Sequence, residues 1–325
     1  MDIPMSALEF QDRFRSEEGC EQALVKLRWP RGFICPNCGH DDAYFLQERR
    51  LMQCIICRHQ TSVTAGTIFH GTKIPLRNWF WMIYLVAHDK GGASSSRIAE
   101  QLNMYQKTVW HILQKIKHAM GNRDDAITLA GLIELDEALI GPEARKTGRQ
   151  KTAKEATIPG RHKGLRCRGL APISGVKKKT QTEIVVLVED DGACAGNLVM
   201  KVLDYSDRQD IREIVEERVD PSQCFKTDGW QPHFVIQNMG HNLQTKVCSN
   251  SPLSVEWLPH VHRAISLLKR FLLGTYHGVS AKYLPRYLQE FCFRFNRRHK
   301  PKTIWQSLLN ACLTTLPITY AELKL

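Results

Sequence analysis

Two cysteine pairs constrain this chain more than any other feature. Cys35 and Cys38 bracket Pro36-Asn37, Cys54 and Cys57 bracket Ile55-Ile56, and residues 39–53 separate the pairs. That spacing suits two short knuckles closing on one tetrahedral Zn²⁺. Four thiolates fill the shell, so the expected role of the metal is structural. Short strands are expected at Ala43-Tyr44-Phe45-Leu46, at Leu51-Met52-Gln53 and over 60–64, giving a zinc ribbon across 31–65. His40 and His59 lie beside the knuckles, but the cysteines already complete the ligand set.

Charge bears on what such a ribbon serves. The 325 residues carry 45 Lys and Arg against 33 Asp and Glu, a net +12. A clustered basic excess favours polyanionic partners, nucleic acid above all. The chain is long enough for more than one core. Its longest apolar run, residues 79–87, is far short of the roughly 20 residues a membrane helix needs. Met1-Asp2-Ile3-Pro4 has neither the basic start nor the apolar stretch of a secretory leader. Seven of the 11 cysteines fall outside the knuckles without paired spacing, so free thiols in a reducing cytoplasm are expected.

Residues 1–30 read as one or two amphipathic helices. After the ribbon, an apolar and aromatic helix over 76–88 ends at Gly91-Gly92, and Ser94-Ser95-Ser96 caps a short successor bearing Ile98 and Leu102. Asn103-Met104-Tyr105 make a turn. From Gln106 to Met120, Val109, Leu113 and Ile116 recur at spacings of four and three, with Lys107, His111 and Lys115 turned outward. Two helices joined by so tight a turn predict a helix-turn-helix whose second member contacts DNA. Ordinary core packing explains the same periodicity.

The second half changes character. A strand over 132–136 ends in acid. Residues 143–168 form a basic, Pro- and Gly-punctuated loop that includes Arg145, Lys146, Arg149 and Lys151, with partial disorder expected. Paired strands are expected over 171–176 and 183–188, a weaker one over 198–202, and a helix over 207–219. A strand over 224–227 ends at Asp228, and helices are expected over 260–273 and 282–298. Asp136 and Asp228 at strand ends can converge on one sheet edge, an oxygen-rich setting for Mg²⁺ or Mn²⁺. His262 and Lys269 lie two helical turns apart on one face. The plain alternative is a pair of turn or cap aspartates and a surface helix.

Several motifs add a resemblance. Arg28-Trp29-Pro30-Arg31-Gly32-Phe33 leading into Cys35-Pro36-Asn37-Cys38-Gly39, then Thr64-Ala65-Gly66-Thr67-Ile68-Phe69, Leu135-Asp136-Glu137 and Thr227-Asp228-Gly229, occur in order. So do Leu267-Leu268-Lys269-Arg270, Gly274-Thr275-Tyr276-His277-Gly278-Val279-Ser280 and Phe291-Cys292-Phe293-Arg294-Phe295-Asn296-Arg297-Arg298. Over nearly its whole length the chain resembles insertion-sequence transposases with a zinc ribbon before an RNase-H-like DDE domain, the ISXO-type group related to Merlin elements.

The resemblance implies a multidomain α+β protein. It would comprise an N-terminal helical segment (1–30), the ribbon (31–65), a helix-turn-helix region (66–122) and an RNase-H-like α/β domain with a mixed sheet (127–325) holding the basic loop. It implies a transposase that binds terminal inverted repeats and catalyses strand cleavage and transfer as a dimer or larger assembly on double-stranded DNA, in a bacterial cytoplasm near the nucleoid. Asp136, Asp228 and His262 would hold Mg²⁺ or Mn²⁺, Lys269 would meet a phosphate near the scissile bond, and Arg270 would join the DNA contacts. Histidine occupies a position where the family often has Glu, sometimes Asn or His; being neutral and softer, it tilts preference towards Mn²⁺. Glu256 and His260 are rival third ligands. A DNA-binding regulator without chemistry is the alternative function, and a zinc-ribbon RNA-processing nuclease a third.

Overall fold

A computed structural model of the chain describes residues 6–141, 181–205, 207–247 and 256–324. The expected basic loop and the expected strand over 171–176 lie outside these residues. Two compact units emerge: Met1–Ala126 together with Gln289–Leu325, and Ile127–Leu288. This division differs from the expected single domain over 127–325, because residues after 288 contribute to the first unit's core.

In the first unit, α1 (Ala7–Arg13) begins with a reciprocal capping box between Ser6 and Glu9. Ser16 caps α2 (Glu17–Arg28). These helices bury Phe10, Phe14, Cys20 and Leu24. The ribbon comes next as an antiparallel sheet of β1 (Ala43–Leu46), β2 (Leu51–Cys54) and β3 (Gln60–Thr61). The apolar helix α3 (Leu76–His88) sinks Trp79, Phe80, Met82 and Ile83 into the unit's main core. Then come α4 (Ser95–Leu102) and α5 (Gln106–Asp124), joined by three residues. Asn103 ends α4 in the left-handed conformation (φ 49°), a backbone region that Asn tolerates better than most residues.

Two C-terminal helices complete that unit. From α10 (Ile304–Thr314), Trp305, Leu308, Leu309 and Cys312 join the same core as α3 and α5. From α9 (Leu284–Asn296), Glu290 pairs with Lys117 of α5 at 3.1 Å, both almost wholly buried, and Arg294 meets the same carboxylate at 2.8 Å. Arg297 and Asn296 both reach Asp124, at 2.7 and 3.1 Å. The α5 helix is therefore held by buried, mutually satisfied charges as well as by apolar packing.

The second unit is built on a mixed sheet in the order β6-β5-β4-β7-β8. Antiparallel pairing joins β4 (Leu132–Ile140), β5 (Thr182–Asp190) and β6 (Ala195–Val202). Parallel pairing joins β4 to β7 (Cys224–Thr227) and β7 to β8 (Asn242–Thr245). Three antiparallel strands and then two parallel ones in this order form an RNase-H-like sheet. Side chains alternate between its faces. Ile133 and Leu135 share a core with Ile211, Ile214 and Val215 of α6 (Arg208–Arg218) and with Val235 and Ile236 of the short α7 (Val235–Asn238). Glu134 and Asp136 point to the opposite face, where α8 (Pro259–Tyr276) binds Glu134 through its first turn.

Candidate active site and metal centres

The four cysteines of the knuckles converge. Each offers a sulfur within 4.8 Å of the other three, and the Cys35–Cys57 and Cys38–Cys54 pairs are 3.5 Å apart. A tetrahedron of Zn–S bonds near 2.3 Å has edges of about 3.8 Å, so the donor set fits zinc. Thiols this close cannot all ionise without a cation. Cys57 is drawn down to about 6, chiefly by the backbone N–H of His59. Cys38 is held up at about 12 by its neighbouring thiols, against the pull of the backbone N–H of His40.

The second centre lies at the rim of the RNase-H-like sheet. Parallel pairing sets Glu134 beside Lys226. Two residues further along come Asp136, within β4, and Asp228, just past the end of β7. The β4 strand runs on to Ile140, so Asp136 sits within it and not at its end, contrary to the sequence expectation. After Thr227 the chain turns away: Asp228 Oδ1 accepts the N–H of Trp230 at 3.0 Å, and Gly229 takes a φ of 83° that L side chains rarely adopt. Asp136, Glu137 and Asp228 each offer an oxygen within 4.8 Å of the others. His262 Nε2 lies 3.9 Å from Asp136 Oδ2.

Two residues of this site were not among the expected ligands. Glu137 comes directly after Asp136 and belongs to the other face of the strand. His233, fully buried, holds it there: Nε2 is 2.6 Å from Glu137 Oε1, and Nδ1 is 3.7 Å from Asp228 Oδ1 with no hydrogen-bond partner of its own among the described residues. Burial raises the Glu137 carboxyl, with His233 pulling the other way. Three crowded carboxylates with little solvent are costly unless a cation joins them. Hard oxygen donors suit Mg²⁺ or Mn²⁺. The acidic doublet stands in plain view in the sequence, but the histidine 96 residues away does not announce itself.

The other expected site residues are dispersed. Lys269 and Arg270 are exposed on α8. Glu256 is exposed, and His260 belongs to a separate buried group with Glu134 and Asp190. Lys107 is exposed at the start of α5, where Gln106 bonds to Ser95 of α4. His111 is partly covered, its ring 4.3 Å from that of Tyr320. Lys115 is half-buried, and burial lowers its pKa. Arg145, Lys146, Arg149 and Lys151 lie outside the described residues. None of the described helices is long and apolar enough to cross a membrane.

Comparison with known proteins bears on both centres. Residues 128–296 match a family model described as an ISXO2-like transposase domain, and residues 15–60 match one described as a transposase zinc-ribbon domain. An uncharacterized protein in transposable element ISH50 of Halobacterium salinarum is 26% identical over 308 residues, which cover 91% of this chain and 98% of that protein. A pre-cleavage Mos1 transpososome covers 71% of this chain and 78% of its own at 12% identity, with a TM-score of 0.26. A Mos1 mariner paired-end complex with Mn covers 72% and 78% at 12% identity, with a TM-score of 0.28. With scores that low, the fold is read from the order and direction of the strands.

Proposed function

Since the chain belongs to the ISXO2-like transposase family, we propose that it binds the terminal inverted repeats of its element and performs metal-dependent strand cleavage and strand transfer. The observation that carries this reading is the meeting of the Asp136, Glu137 and Asp228 carboxylates within 4.8 Å at the sheet rim, with His262 Nε2 3.9 Å from Asp136. Asp136, Asp228 and His262 are the proposed ligands, and Glu137 joins them. A divalent cation bound there would supply Lewis-acid stabilisation of the charge that builds on a phosphodiester in displacement. His233 holds Glu137 in place through its Nε2 contact. Lys269 and Arg270, exposed further along α8, meet the backbone of the bound strand.

Grip on DNA is assigned to the ribbon, to the start of α5 with Lys107, His111 and Lys115, and to the basic segment with Arg145, Lys146, Arg149 and Lys151. Where the Lys and Arg side chains among these neutralise phosphates, affinity should fall steeply with salt. Joining two element ends requires two sites, so the assembly on DNA is at least a dimer. The deciding experiment is nicking of duplex DNA carrying the repeats that flank the reading frame, in Mg²⁺ and in Mn²⁺. Wild type should cut and Asp136→Asn should bind without cutting. Sequence-specific binding with no cleavage in either metal would leave a DNA-binding regulator.

A further inference from the structure

Glu134 is a carboxylate with 0% exposure, two residues before Asp136 on the same face of β4. Its Oε2 accepts two hydrogen bonds of 2.8 Å, from the backbone N–H groups of His260 and Val261. Those groups belong to the first turn of α8, where N–H groups have no partner within the helix. Pro259, at the first position, has no N–H to offer, and the N-cap residue Leu258 provides no side-chain acceptor. The helix thus takes its cap from a strand 126 residues away in sequence. A negative charge at this end also suits the helix dipole.

Burial raises the Glu134 carboxyl, with the N–H of Val261 and the imidazole of His260 pulling the other way. Asp190 lies beside Glu134 and is itself 3.3 Å from His260 Nε2 and 3.0 Å from Lys226 Nζ. Asp190 therefore already faces an ammonium and an imidazole. A metal ion in this group would be crowded by Lys226, which argues against a third centre here.

We propose that Glu134 is a positioning residue that sets where His262 stands relative to Asp136. The link is short and stiff: Asp136 is two residues along the strand from Glu134, and His262 is next to the Val261 whose N–H Glu134 holds. Outer groups of this kind orient metal ligands without touching the ion. The inference rests on the proposed metal site.

The test pairs two conservative variants of the full chain. Glu134→Asp keeps the charge but loses a methylene of reach; Glu134→Gln loses the charge but keeps an oxygen able to accept both N–H groups. Mn²⁺ binding is measured by electron paramagnetic resonance of the free ion, and the first turn of α8 by hydrogen exchange. Zinc content and melting temperature confirm folding. Glu134→Asp should speed exchange at residues 260–262 and weaken Mn²⁺ binding about 10–100-fold, while Glu134→Gln restores both. The proposal is overturned if the two variants weaken binding equally, if only Glu134→Gln does so, or if neither does. If Asp136→Asn binds Mn²⁺ as wild type does, the metal site itself is wrong and the inference falls with it; the exchange arm then still reports whether Glu134 caps α8.

Discussion

His233 has no exposed surface, yet it touches one carboxylate and approaches another. Replacing it with Ala should weaken Mn²⁺ binding about 10–100-fold by freeing Glu137, with zinc content unchanged; titration of both metals checks this. Glu290 answers to pH. Burial acts to raise its carboxyl, but Lys117 and Arg294 outweigh that and hold it at about 2. Burial, partly offset by Glu290, draws Lys117 down to about 8. Because the folded Glu290 sits below its ordinary value of 4.5, its contribution is fully present above that pH and is lost as pH falls towards about 2. In that window it adds a slope of at most about 1 kcal/mol per pH unit. Urea unfolding of wild type and Glu290→Gln between pH 5 and 3 should show a shallower loss in the variant.

Elements differ in how far they depend on partners. The ribbon strands are short and form only a small apolar cluster of Phe33, Cys35 and Cys54. Zinc must therefore supply much of that element's stability. Cys38→Ser should release the metal and leave residues 33–61 unprotected in hydrogen exchange while β4 and β5 stay protected. Retention of zinc after dialysis would contradict this. The knuckles, α3, α5 and α8 were legible because their signals are local: ligand spacing, apolar periodicity, turn residues. β8 was not, since Asn242–Thr245 is polar and mostly exposed, and only its ladder to β7 makes it a strand. His111 and Lys115 read as outward-facing from α5 alone, but Tyr320 comes back from the C-terminus to cover the first and burial partly encloses the second.

At the scale of the molecule, the two units do not keep to chain order. Residues 289–325 return to the N-terminal unit and bring Phe293, Trp305, Leu308 and Leu309, each at most 2% exposed. Large buried side chains contribute about 1.5–3 kcal/mol each, and a whole domain is stable by only about 5–15 kcal/mol. Truncation after Leu288 should therefore unfold the N-terminal unit, and with it the α4–α5 pair, while residues 127–288 keep their sheet. Limited proteolysis of the truncated chain, with mass spectrometry of the fragments, should find cleavage concentrated before residue 127.

From the sequence alone came the zinc quartet, the α4–α5 helix pair and the two aspartates, because each depends on spacing along a few residues or on an acid placed next to an apolar strand. Tertiary structure alone decided which groups surround those aspartates and which unit owns the C-terminal helices. Glu137 and His233, or Glu134 and the first turn of α8, meet only because strand pairing and helix docking close separations of 96 to 127 residues. No periodicity records a contact over that distance; it exists only once the chain has buried its apolar faces and the polar groups left between them have had to find one another.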